Sequence, residues 1–321
     1  MSCFRRLKLL SLFAPLLGAQ TPTFRVPARL VIAPTSVTDS RGNFVNGLSV
    51  ADFTLYDNDA PQQIHEDGDF LPISVAVVIQ TNLAARPIQP RLSELGPLLG
   101  ALVVGEGGEA AILTFDHKVR LAQDFSSDLG RLTHTLRLLE FSYWDSRLLD
   151  ASAQAIDLLK HRPDYRRRIL LLISETRDQS SETKLRDAIA QAELNNILIY
   201  SLNIAKSSAA LQGLASGDIL PMIQQIYAGA KNLVIKNPLA VLTSYTGGEQ
   251  YSLLTRQSLE VAVRKMGEEI HGQYLLSFTP ANAPESGYHK IRVALNRPGW
   301  EVRSRPGYWS MGPDPPERES H

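Results

Sequence analysis

The apolar positions of this chain fall into three successive rhythms, and each predicts a different kind of element. From Phe24 to Phe70 short runs alternate apolar with polar residues and are broken by turn clusters, Asp39-Ser40-Arg41-Gly42 and Asp57-Asn58-Asp59 being the clearest. Phe53 and Leu55 alternate with Thr54 and Tyr56, the period of a strand with one buried face. From Pro72 the pattern changes to unbroken apolar runs separated by stretches of helical period. "ISVAVVIQ" (73–80), "RRILLLIS" (167–174) and "NILIYSLNI" (196–204) read as strands buried on both faces. "EAAILTF" and "KVRLAQDF" flank Asp116-His117 as a hairpin. Helical spacing runs through 91–104 (Leu92, Leu95, Leu98, Leu99, Leu102), 128–139, 146–161, 182–195 and 255–271. Strands alternating with helices of this length predict an α/β fold with a mostly parallel sheet covered on both faces. Beyond Gly272 the β rhythm returns in "GQYLLSFTP", "HKIRVALN" and "WEVRSRPGYW".

These rhythms set a domain plan. The β segments 24–70 and 272–309 offer three strands each, too few to bury a core alone. Paired, they would form one small β-sandwich into which the α/β part, 71–271, is inserted. Within that part, 206–236 breaks the rhythm with Gly213, Gly217, Pro221 and Gly229, and reads as an insertion carrying one short helix near 219–227. Residues 310–321 are polar and Pro-rich, the composition of a disordered tail.

The first residues change the picture of where the protein works. Arg5, Arg6 and Lys8 precede an apolar run from Leu9 to Leu17 and a small-residue end at Gly18-Ala19. That is the pattern of a secretory signal peptide over 1–19, and it predicts export, to the periplasm or outside the cell. The only cysteine, Cys3, lies inside it, so the exported chain would carry no disulfide, no thiolate metal site and no cysteine nucleophile. With 33 basic and 33 acidic residues the whole chain has no basic field for nucleic acid, and no stretch is long and apolar enough for a membrane span. The seven histidines are scattered without metal-ligand spacing. No Gly-x-Ser-x-Gly elbow, phosphate loop or dinucleotide fingerprint occurs, so a hydrolase has no supporting motif and a non-enzymatic protein is expected. The cluster "HRPDYRRRI" reads as the solvated start of a strand rather than an anion site.

Four stretches, in this order, carry a resemblance. "TSVTDSRGNFVNGLSVADFTLYDNDAPQQI" precedes the α/β part, "TFDHKVRLAQDFSSD" lies within it, and "SYTGGEQY" and "GQYLLSFTP…GYHKIRVALNRPGWEVRSRPGYW" close the chain. Together they resemble the bacterial VWFA-related family of exported proteins, over nearly the whole chain after residue 19. The resemblance implies a Rossmann-like von Willebrand factor A-type domain and a protein-interaction, adhesion-like role.

It also implies a place to look for a metal-ion-dependent adhesion site. In such domains Asp-x-Ser-x-Ser follows the first strand, a Thr comes from a second loop, and an Asp from a third loop after the fourth strand. At those positions this chain has Gln80, Asn82, Ala84, Ser146 and Glu175, with Thr176 where Gly is usual. Such a set supplies one formal charge, and Ala84 no oxygen, against a cation that dehydrates reluctantly. A degenerate site with no metal or other cofactor is therefore expected, Gln80 closing the strand end by hydrogen bonds and Asn82 stabilising the turn. The alternative is an altered Mg²⁺ site built on Glu175 and Ser146, with Asp145 or Asp178 swinging in, that binds a partner carboxylate. Either way an unidentified protein partner would meet the loops 80–86, 143–147 and 175–179, with Thr81, Asn82, Tyr143, Trp144, Asp145 and Thr176 as contact candidates. Tyr143 and Trp144 suit either a contact pair or packing under the loop.

Overall fold

The computed structural model describes residues 30–66, 71–205, 225, 237–253, 258–280 and 286–310. The expected signal segment 1–19, nearly all of the expected insertion 206–236 and residues 311–321 of the expected tail lie outside them. Four short strands come first: β1 (Val31–Thr38), β2 (Phe53–Asp57), β3 (Ala60–Gln62) and β4 (His65–Glu66). The α/β unit follows as β5 (Ile73–Gln80), α1 (Leu92–Leu99), β6 (Glu109–Phe115), β7 (Val119–Ser126), α2 (Leu129–Arg137), α3 (Leu148–Lys160), β8 (Arg167–Ser174), α4 (Leu185–Leu194), β9 (Ile197–Asn203), α5 (Pro238–Thr246), β10 (Gln250–Ser252) and α6 (Ser258–Gly272). Four more strands close the chain: β11 (Tyr274–Phe278), β12 (Gly287–Leu295), β13 (Glu301–Ser304) and β14 (Gly307–Ser310).

The unbroken apolar runs become the middle of a six-stranded sheet ordered β10-β9-β8-β5-β6-β7. Its strands are parallel except β7, which returns antiparallel to β6 through the hairpin at Asp116-His117. All eight residues of β5 are buried because both faces are covered. Alternation then sorts its side chains. Val75, Val77 and Ile79 pack with Leu92, Leu95 and Leu99 of α1, Leu132 of α2 and Met266 of α6. Ala76 and Val78 face the other way, toward Leu148 and Ile156 of α3, Ile189 of α4 and Leu242 of α5. Each such large side chain removed from water contributes about 1.5–3 kcal/mol, which makes these two layers the main stabilisation of the unit.

The helical stretch 91–104 is less regular than its leucine spacing predicts. Residues 83–91 form a tight three-residue-per-turn helix containing Pro87 and Pro90, and after α1 the chain widens into one broad turn over 100–104. The leucines still land on one face, and Leu92, Leu95 and Leu99 are all buried.

The two outer β segments interleave. One sheet is β13-β1-β11-β4 and the other β14-β12-β2-β3, so each takes strands from both ends of the chain. Val31 pairs with Phe278 in the first, Leu55 with Val293 in the second. Both sheets feed one core of Val31, Ala33, Leu55, Phe278, Ile291 and Tyr308. Eight strands form where the sequence pattern shows six. The extra ones are short: β3 and β4 span three and two residues, too few to show a period of two. "WEVRSRPGYW" splits because Arg305-Pro306 is the corner at which the chain leaves one sheet for the other. Ser310 is the last residue of β14, not the first of the tail.

A buried charged cluster fastens these strands to the α/β unit. Glu269 of α6, 1% exposed, accepts from Tyr200 Oη at 2.9 Å, from Tyr251 Oη at 2.8 Å and from Arg303 of β13. Burial, reinforced by the Glu269 charge, pushes both phenols well above their usual range, so they remain donors. Gly247 ends α5 at φ +88°, and a side chain there would press on the Arg305 backbone 3.3 Å away. No described helix is long and apolar enough to cross a membrane.

Candidate functional site

In the six-stranded sheet β5 and β8 are neighbours, and the helices that follow them cover opposite faces. The crevice at their carboxyl ends is therefore a topological switch point, where open α/β sheets hold ligands. Gln80 is the last residue of β5 and Ser174 the last of β8, so strand geometry alone sets Gln80 beside Glu175.

Gln80 is fully buried, and its amide is used on both sides. Oε1 accepts from Ser174 Oγ at 2.7 Å and from the Glu175 amide at 2.9 Å. Nε2 donates to Asn82 Oδ1 at 2.8 Å and, at the 3.5 Å limit, to Glu175 Oε1. Asn82 Oδ1 also accepts from the Ala84 amide at 3.2 Å, which starts the 83–91 helix, and Nδ2 donates to the Trp144 carbonyl at 3.1 Å. The first loop is thereby tied to the second. Thr81, buried, donates through its hydroxyl to the Phe115 carbonyl.

Ser146 is held elsewhere. Its hydroxyl donates to the Arg177 carbonyl and to Gln179 Oε1, each at 3.2 Å, joining the second loop to the third. Asp178 accepts from the Leu149 amide at 3.2 Å and from Ser181 Oγ at 2.6 Å, so it caps the start of α3. Asp150 reciprocates by accepting from the amides of Glu182 and Thr183. The Asp178 carboxylate is thus committed, and Asp145 lies exposed on the rim.

The three predicted loops do meet, but their residues divide by depth. Thr81, Asn82, Ser146 and Thr176 are buried and form the floor. Tyr143 at 76% and Trp144 at 62% exposure stand on the rim beside Leu83 at 53%. Arg86 donates to Tyr143 Oη at 3.3 Å, and the His117 ring lies 4.9 Å from that of Trp144. Packing under the loop is therefore not the role of either aromatic ring. Ser174, Gln179 and Asp116 were not singled out by the sequence pattern. Burial alone would raise the Asp116 carboxyl, yet hydrogen bonds from the Lys118 amide and Arg120 hold it below the usual range and keep it in the hairpin. Asp116 is an ordinary hairpin residue by sequence, and Ser174 an ordinary strand end; only their neighbours across the fold give them roles.

No protein-family model and no curated protein matches the chain. Solved structures do. The chain is similar to the conserved hypothetical protein BatB from Bacteroides thetaiotaomicron at 13% identity and a TM-score of 0.44, over 62% of this chain and 98% of that one. It is similar to the SpRpn10 VWA domain at 12% identity and a TM-score of 0.42, over 60% and 94%. It is also similar to a von Willebrand factor type A protein from Catenulispora acidiphila at 9% identity and a TM-score of 0.46, over 89% of this chain and 64% of that one. Such likenesses concern the fold alone. In the chain itself the first and fourth strands of the unit, β5 and β8, lie side by side and their loops converge with 143–147.

The α/β unit has the mostly parallel sheet, covered on both faces, that the resemblance to a von Willebrand A-type domain implies. The resemblance implies a divalent cation at this crevice, and the donors present there do not suit one. Both amide oxygens that could ligate are already accepting two hydrogen bonds each, Ser146 is turned to the third loop, and Ala84 brings a methyl. Glu175, half-buried, is the one carboxylate among the five predicted ligand positions, and no group of three His, Cys, Asp or Glu that could hold a metal gathers among the described residues. A hard cation needs six oxygens and prefers several to be charged.

Proposed function

We propose that this protein is an exported, non-enzymatic protein-interaction module whose A-type domain docks its partner without a divalent cation. The observation that carries the reading is the closed hydrogen bonding of Gln80. Each polar atom of its amide has a protein partner, so the crevice floor asks for no ion. Recognition falls instead to the rim, where Tyr143, Trp144 and Leu83 present apolar area among polar neighbours. Aromatic residues of this kind dominate interface energetics. The partner is a protein of the cell envelope or its surroundings, and the polar rim around Arg86 and Asp145 would fix its register.

Titration calorimetry of residues 20–321 with Mg²⁺, Mn²⁺ and Ca²⁺ tests the metal half of this reading, with no saturable heat expected. Sub-millimolar binding that Glu175→Ala abolishes would establish the altered Mg²⁺ site instead. A pull-down from the envelope of the source cell, with and without EDTA, tests the rest. Capture should be indifferent to EDTA and lost in the Tyr143→Ala, Trp144→Ala double variant.

A further inference from the structure

The opposite end of the sheet carries a second feature, independent of the loops. A cavity of about 700 Å³ lies where the outer β strands meet the amino ends of β8 and β9. Its apolar walls are Ile32 and Pro34 of β1, Leu275 of β11, and Ile197 and Leu198 of β9. Its charged lining is one-sided: Lys160, Arg166, Arg167, Arg168 and Arg305 face Asp164 alone. Asp164 is fully exposed and is bonded to Arg168, which places it on the rim.

The existing anions do not saturate these cations. Glu109 is taken by Arg162 and Arg166, and Asp157 by Lys160. Arg168 spends its terminal nitrogens on Asp164 and on the carbonyls of Arg162 and Asn195. Arg167 donates to the Ile270 carbonyl and to Gln273. The Nε atoms of Arg168 and Arg305 are buried without a hydrogen-bond partner, as is that of Arg167, whose guanidinium turns away toward α6. Arg305 is the extreme case: it is 3% exposed, and the negative charge of Glu193 only partly offsets its burial. A buried guanidinium carries a desolvation penalty that an anion bound beside it offsets.

We propose that this cavity binds a small organic anion with an apolar body, of the aliphatic-carboxylate class. The volume is that of a small-molecule site. The aliphatic walls take the body, and the arginines take the head with charge-assisted hydrogen bonds. The arginine run reads from sequence as a solvated strand start, but Arg168 is buried and its neighbour Arg167 turns toward α6. Because Arg305 sits on the β13–β14 corner while Arg168 is the second residue of β8, an occupant would bridge the two parts of the molecule.

Calorimetry of the purified protein with decanoate, below its micellar concentration, tests the proposal against decanol and acetate. One saturable site for decanoate is expected, with decanol and acetate each about tenfold weaker or more, the equivalent of one charge-assisted hydrogen bond. Arg305→Met should weaken decanoate by about tenfold. Lys160→Met, at the rim and compatible with folding, should weaken it by about threefold. Equal affinity for decanoate and decanol, absence of saturable heat, or unchanged decanoate affinity in Lys160→Met would each overturn it.

Discussion

The two ends of the six-stranded sheet bury polar groups in opposite ways. At the carboxyl end Gln80, Asn82, Ser174 and Ser146 are neutral, and their hydrogen bonds close on one another or on nearby loop groups. Toward the amino end the buried groups are ions: Glu109 with Arg162 and Arg166, Glu269 with Arg303, and the guanidiniums of Arg167, Arg168 and Arg305. A neutral network can be complete, because each amide and hydroxyl meets a counterpart of its own kind. An ionic one rarely is, since five donors on a guanidinium must all find acceptors in a fixed fork. The topology marks the carboxyl end as the ligand end. The neutral side chains there are hydrogen-bonded to the protein, while the end that topology does not mark gathers the buried guanidiniums.

That contrast breaks first at Glu269, where the largest effect is expected. Glu269→Ala removes the acceptor shared by Tyr200, Tyr251 and Arg303 and leaves the Arg303 guanidinium only the more exposed carboxylate of Glu249. Losing one partner of a buried ion pair costs about 3–5 kcal/mol. Urea denaturation should show that loss, while Glu268→Ala, whose side chain is half exposed in an i,i+4 pair with Arg264, should stay within about 0.5 kcal/mol. A loss below about 1 kcal/mol for Glu269→Ala would mean that the outer strands are held by apolar packing alone.

The neutral end should respond less. In Gln80→Leu the Glu175 amide and Asn82 Oδ1 each lose a partner, but Ser174 Oγ keeps the Glu175 carbonyl. An orphaned buried group costs about 1–3 kcal/mol, so the same urea titration should place Gln80→Leu between the two α6 variants. A cost as large as that of Glu269→Ala would show that the amide network, not the ionic cluster, dominates.

How much of this was legible beforehand follows from the range of the forces involved. The runs 73–80, 167–174 and 196–204 announce buried strands because burial on both faces leaves no polar position inside them. Gln80 as a strand-closing amide was readable too, since a long amide at the end of such a run must find partners nearby. The corner at Arg305-Pro306 was not, because β13 joins its sheet through partners more than 200 residues away, such as Thr35, while β14 joins the other sheet through β12. Nor was the buried state of Arg168. Four arginines within "HRPDYRRRI" look solvated until the outer strands, distant in sequence, cover them. The division of the loops into floor and rim was hidden for the same reason: Thr176 and Trp144 are alike in sequence context and differ only in what lies above them.

The smallest effect on stability, and the sharpest separation of folding from recognition, belongs to Trp144. Its indole is largely exposed and touches the His117 ring at 4.9 Å, while the part of the residue that holds the loop is its backbone carbonyl, which accepts from Asn82. Trp144→Ala keeps that carbonyl. Its stability should therefore stay within about 0.5 kcal/mol of the parent, as for surface substitutions away from packed features. The same variant should lose much of its partner binding, since a truncated interface aromatic commonly costs about 2 kcal/mol or more. A fall in stability beyond about 1 kcal/mol with binding intact would turn Trp144 into a packing residue, and the recognition surface would have to be sought around Leu83 and Tyr143 instead.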